Sequence, residues 1–241
     1  MAGDPKSELA PHGVLRAGIN LSNFLLVTGR TSDGDPEGVA PDMARAIADR
    51  LGVGVRYVTY PKPGLLADAA GTDAWDIGLI GAEPQRAEKI TFTPAYVEIE
   101  STYLVPPGSK LQTIADVDQP GVRIAVAART AYGLWLDRNV ERAELIHSDS
   151  LDASLEQFQR DGLDALAGLK PRLLEDVKRI PGARIIEGQF AAVQQAIGTL
   201  KQNEAGAAFL RDFVAEAIRS GMVARLIQKH QVNGLSVAPQ F

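Results

Sequence analysis

The sequence predicts an α/β protein made of two units, each a mainly parallel sheet flanked by helices. Three observations carry that prediction. Short apolar or β-branched runs alternate with helical stretches, a rhythm that favours parallel strands joined by helical crossovers. The rhythm breaks at PPGSK, residues 106–110, and starts afresh at GVRIAVA. Near the C-terminus a strand and two helices remain without a sheet of their own, so their simplest packing is on the first unit. The expected division is therefore 1–103 with 198–241 as a discontinuous first lobe, and 104–197 as an inserted second lobe. Two hinge strands, near 102–105 and 194–198, would join them.

Each element has a local reason. VLRAGIN (14–20) is a buried strand ending at Asn20. Pro41 fits the first turn of a helix whose Met43, Ile47 and Leu51 recur at helical spacing, and Gly52 stops it. VRYVTY (55–60) is β-branched and aromatic, hence a strand. LLADAA (65–70) reads as a short helix and WDIGLIG (75–81) as a buried strand. VEIESTYLV (97–105) alternates and then runs apolar, and TIADV is a brief helical turn. In the second unit, GVRIAVA (121–127), AELIHS (143–148), LDALAGL (163–169) and ARIIEG are strands. RTAYGLWLDRNV, SLDASLEQFQRDG and PRLLEDVKRI are the helices between them, the second closed by Gly162. QQAIGTL is a strand. The long C-terminal stretch is interrupted at Gly221 and reads as two helices.

Composition narrows the function. Hydrophobic residues at 45% and charged residues at 23% are ordinary for a globular protein. A net charge of -5 argues against a nucleic-acid surface. There is no cysteine, and the three histidines, His12, His147 and His230, are far apart, so neither a metal nor a cofactor is expected. No run of about 18 apolar residues exists, so no membrane span is expected. The N-terminal MAGDPKSELAPHG lacks the apolar core of a secretory signal, which leaves a cytoplasmic location open.

DIGLIGAEPQRAEKITFTPAY (76–96) holds the strongest functional signal. Ligands of open parallel sheets bind beyond the carboxyl ends of the strands, and Arg86 lies just past such an end. Its planar guanidinium fits a carboxylate bidentately. A helix beginning after Pro84 would add its N-terminal dipole. Glu83 is available to hold a cationic group, to orient Arg86 or only to favour the helix start. In the second unit, Thr130 reads as the N-cap of the helix after GVRIAVA, with Arg129 as a fixed positive charge beside it. Arg129 is read equally well as a solvent-facing residue.

The order of strands resembles the periplasmic solute-binding proteins of ABC transporters, in the polar amino-acid-binding class (family 3, type II periplasmic binding fold). So do the turn-plus-arginine after WDIGLIG and the landmarks ITFTPAY, GVRIAVAARTAY, LDALAGLKP and QQAIGTLK. The resemblance runs from about Val14 to His230. It implies a two-lobed clamshell that closes on a small carboxylate-bearing solute, an amino acid or related organic acid, and delivers it to an ABC permease. It implies a periplasmic monomer without catalysis. The implied ligand-binding residues are Asn20, Asn23, Phe24, Gly81, Glu83 and Arg86, with Arg86 on the α-carboxylate and Phe24 as an aromatic wall. In the second lobe they are Arg129, Thr130 and Tyr132.

Two departures stand out. Only AEPQ separates Gly81 from Arg86, without the hydroxyls usual in the family. Leu169, followed by Lys170, stands where the family carries an aspartate for the ligand's ammonium. Either another acid, Glu83 or Glu100, takes that role, or the ligand has no α-amino group. Trp135 reads as core, and Gln194 and Gln195 as hinge residues within reach of a ligand. Two other functions stay open: a dehydratase on the same fold, with Glu83 and Glu100 as candidate acid or base, and a cytoplasmic ligand-sensing module.

Overall fold

A computed structural model describes residues 3–239. The chain divides into two compact units. One runs up to Glu98 and resumes at Gln194; the other is Ile99–Val193. These crossings lie a few residues before the expected 103 and 197. Both fall inside single continuous strands, along which contacts change from one unit to the other.

In the first unit the order is α1 (Pro5–Leu9), β1 (Val14–Asn20), a small hairpin β2 (Gly29–Arg30) and β3 (Pro36–Glu37), α2 (Val39–Leu51) and β4 (Gly54–Tyr60). Then come α3 (Pro63–Asp68), β5 (Ile77–Gly81) and β6 (Ile90–Phe92). β7 (Val97–Val105) carries the chain out. The second unit holds β8 (Arg123–Ala127), α4 (Ala131–Asn139), β9 (Glu144–Ser148), α5 (Leu151–Arg160), β10 (Ala165–Leu169), α6 (Lys170–Asp176) and β11 (Arg184–Ile185). β12 (Ala191–Leu200) leads back to α7 (Glu204–Arg219), α8 (Met222–Lys229) and β13 (Ser236–Val237). No helix among the described residues is long and apolar enough to cross a membrane.

The first unit's sheet has the order β4-β1-β5-β12. β1 is parallel to both β4 and β5, and β12 is antiparallel to β5 and β6. One face buries Leu15, Ile19, Met43, Ile47, Ile77 and Leu79 with Leu210, Phe213 and Val214 of α7. The other buries Leu66, Trp75, Ile80 and Ile90. Gly18 and Gly78 permit this second layer: a Cβ at Gly78 would stand 3.0 Å from Leu66 Cδ2, and one at Gly18 3.3 Å from Trp75 Cγ. α2 ends where expected, with Gly52 in the left-handed region at φ 66°.

Arg16 on β1 is a buried charge. Its Nη2 and Nε reach Asp76 Oδ1 and Oδ2 at 2.7 and 3.1 Å, and Nη2 also reaches Asp73 Oδ1 at 2.7 Å. Asp76 was expected inside a strand; it precedes β5, where its carboxylate also accepts from the Arg16 backbone N–H. The bidentate pair thus locks the amino-terminal ends of β1 and β5 together.

The second unit's sheet has the order β7-β10-β8-β9. β10 is antiparallel to β7 and parallel to β8, which is parallel to β9. Leu104, Leu155, Phe158, Leu163, Leu166 and Leu173 form its core. Trp135 stacks at 5.4 Å on Phe190, which stacks at 4.6 Å on Tyr103. TIADV is a 3-10 turn, Ile114–Asp116, closed by a Thr113/Asp116 capping box. ARIIEG shortens to the two-residue β11.

Candidate functional site

The parallel strands of the first unit end at Tyr60, Asn20 and Gly81, with Asn20 opposite Tyr60 and Ile19 opposite Leu79. The segments that carry the residues singled out in this unit start from that carboxyl edge. Past Gly81 the chain makes a tight turn. Ala82 N–H donates to Gln194 O at 2.7 Å, and Ala87 N–H to Glu83 O at 2.9 Å. No full helix follows. A single 3-10 turn, Arg86–Glu88, takes its place, so the expected macrodipole is absent. The four-residue turn AEPQ leaves too little chain for a helix before β6.

Arg86 instead folds back over the strand end. Its Nη1 donates to Gly81 O at 2.7 Å, and the residue is only 5% exposed. Burying a guanidinium is costly unless its donors are satisfied, and the Gly81 carbonyl satisfies one of the five. Glu83 and Gln195 are buried at the same edge, Gln195 directly opposite Gly81.

The loop after β1 is shaped by its two asparagines. Asn20 Oδ1 accepts from Ser22 N–H and Oγ–H at 3.1 and 2.7 Å. Asn23 is buried, and its Oδ1 accepts from Leu25 N–H at 3.2 Å. Both therefore act as turn formers. Phe24, directly after Asn23, is 38% exposed, one of the few large apolar side chains in that state among the described residues. Gly38 closes the loop: its φ is 149°, and a Cβ there would come within 2.3 Å of Leu26 O.

In the second unit β8, β9 and β10 end at Ala127, Ser148 and Leu169. Ala128 N–H donates to Ser148 O at 2.8 Å. Arg129 follows, exposed, at φ 61°, a left-handed conformation uncommon for a residue with a Cβ. Thr130 is the N-cap of α4; its Oγ1 accepts from Gly133 N–H at 3.0 Å and donates to Ala127 O at 2.8 Å. Leu169 lies opposite Ser101, which brings Glu100 to the same edge. There Lys170 Nζ lies 2.6 Å from Glu100 Oε2.

Tyr132 departs from expectation. It is 3% exposed, so its ring is closed off inside the unit rather than presented to solvent. Burial raises its hydroxyl to about 12, with the Thr130 hydroxyl and the Ala127 backbone partly opposing. The reason is geometric: its place in the first turn of α4 points the ring at β10 and α6. Sequence reading did not find the Lys170–Glu100 pair, whose members lie on separate elements. Among the described residues no group of three or more His, Cys, Asp or Glu is placed to hold a metal ion.

The bacterial extracellular solute-binding proteins, family 3, match residues 19–233. No curated protein matches. Among solved structures, a mutant of ArgBP from T. maritima has 20% identity and a TM-score of 0.74, over 95% of this chain and 100% of that one. An amino acid ABC transporter substrate-binding protein from Streptococcus pneumoniae, bound to L-arginine, has 18% identity and a TM-score of 0.73, over 98% and 100%. The ancestral amino acid-binding protein AncCDT-1, a precursor of cyclohexadienyl dehydratase, has 20% identity and a TM-score of 0.73, over 94% and 99%. The mixed α/β fold is that of the type II periplasmic binding proteins, and the chain belongs to the family 3 bacterial extracellular solute-binding proteins.

Proposed function

We propose that the protein is the non-catalytic solute receptor of an ABC-type uptake system, binding a small carboxylate-bearing solute, an amino acid or related organic acid. The observation that carries this reading is Arg86, a buried guanidinium fixed at the carboxyl end of β5. A charge held there is preorganised for an anion, because the protein has already borne the cost of placing it. Asn20, Asn23, Phe24, Gly81 and Glu83 complete the first unit's share of the proposed site. Arg129 and Thr130 supply the second unit's share, whereas Glu100 is engaged by Lys170. Hinge motion in β7 and β12 closes the units on the solute and presents the closed form to a permease. The working protein is periplasmic and monomeric.

The test is a thermal-shift screen of the purified protein against amino acids, opines, dicarboxylates and aromatic precursors. A solute that binds only the folded chain raises the melting temperature by mass action. A shift with at least one carboxylate solute, without turnover, is the expected result. No shift with any of them, or conversion of a prephenate-like compound, overturns the reading.

A further inference from the structure

A small, partly open cavity in the second unit has apolar walls that include Leu151, Leu166 and Leu173, with Ser154, Arg172 and Asp176 as polar groups and Tyr132 beside them. Two of its polar groups are nearly closed off from solvent, Ser154 at 1% and Asp176 at 3% exposure. Ser154 Oγ has no hydrogen-bond partner among the described residues. A buried hydroxyl in that condition is costly, and native interiors rarely leave one so. The Asp176 carboxylate accepts from Arg172 Nε at 2.9 and 3.0 Å, which leaves lone pairs on both oxygens. Arg172 turns its Nη2 to the exposed Asp152 at 2.5 Å. Burial pushes the Asp176 carboxyl above the usual range even with Arg172 beside it, the behaviour of a carboxylate short of solvation.

The cavity has room for roughly one water. Apolar voids of that size stay dry, whereas polar ones that offer several partners are hydrated. We propose that this cavity is a built water site, in which one ordered water pairs with the Ser154 hydroxyl and donates to the Asp176 carboxylate. The water ties α5 to α6. Tyr132 lines the same cavity, so the first turn of α4 rests on it. The site depends only on the interior of the second unit and not on the assignment of a ligand.

A high-resolution crystal structure of the full chain tests it, together with the melting temperature of Ser154→Ala. The expected results are density for one water within about 3.2 Å of both Ser154 Oγ and an Asp176 carboxylate oxygen, and a variant that melts a few degrees lower. A dry cavity overturns the proposal. So does an unchanged or higher melting temperature, the behaviour expected when an unpaired hydroxyl is removed.

Discussion

Lys170 Nζ lies 2.6 Å from Glu100 Oε2, so the acid on the strand leading into the second unit already has a counter-charge. Lys170 directly follows Leu169, so the cation at this departure from the family pattern is neutralised locally by Glu100. Glu100 is thereby a poor candidate for holding a ligand's ammonium. Their side chains are 52% and 40% exposed, where such a pair contributes under about 1 kcal/mol. Glu100→Gln is expected to move the melting temperature by no more than roughly 2–4 °C. Its affinity for solutes with and without an amino group should stay within about threefold of the parent by calorimetry. A tenfold loss confined to amino-bearing solutes would make Glu100 the counter-charge after all.

Arg16 and Asp76 present the opposite case, a pair closed off from solvent. Removing Asp76 leaves Arg16 buried with only the exposed Asp73 as counter-charge, at a cost of about 3–5 kcal/mol. Asp76→Ala is expected to lower the urea midpoint by that equivalent at unchanged slope. A loss below about 1 kcal/mol would show the pair to be solvated.

Two carboxyls are expected to give pH dependences of opposite sign. For Asp42, burial favours the neutral form, but hydrogen bonds from Lys229 Nζ and His230 Nε2, both 2.7 Å, outweigh it and hold the carboxyl below 3.8. Its stabilisation is in place above 3.8 and is lost as pH falls through the lower folded value. For Asp176, burial outweighs Arg172 and raises the carboxyl above 3.8, so its contribution is greatest below that value and declines as pH rises through the folded one. Urea titrations between about pH 7 and pH 3 should show the gap between parent and Asp42→Asn narrowing on acidification. The gap between parent and Asp176→Asn should shift in the parent's favour. Parallel behaviour of the two variants would contradict both assignments.

Arg129 combines a left-handed backbone with an exposed cation at a helix N-terminus. Glycine adopts that backbone without the roughly 1–2 kcal/mol penalty of a Cβ. Arg129→Gly is therefore expected to melt at or above the parent temperature while binding the carboxylate solute at least about tenfold more weakly. Strain that persists at one position and is relieved without loss of binding would be structural only.

The regular elements were legible because each is set by neighbours in sequence. VLRAGIN and VEIESTYLV became β1 and β7 with the expected bounds, Gly52 closed α2, and Gly221 separated α7 from α8. The short pieces α1, β2, β3, β6 and β13 were missed, since tertiary pairing rather than pattern holds them. At the site, the sequence placed Arg86 at a strand end and Thr130 at an N-cap, both local relations. It did not reveal that Tyr132 turns inward, that only a 3-10 turn follows Pro84, or that Lys170 engages Glu100. The last depends on what lies across the sheet, seventy residues away, at a separation no spacing rule reads.

The central claim is tested most directly by titrating Arg86→Ala calorimetrically with the best carboxylate solute from the thermal screen, beside the parent. Losing a desolvated charge-assisted contact predicts an affinity weaker by about 2–5 kcal/mol, with the melting temperature of the free protein showing that the fold persists. Affinity within about threefold of the parent would contradict the account, because the solute's carboxylate would then be held elsewhere.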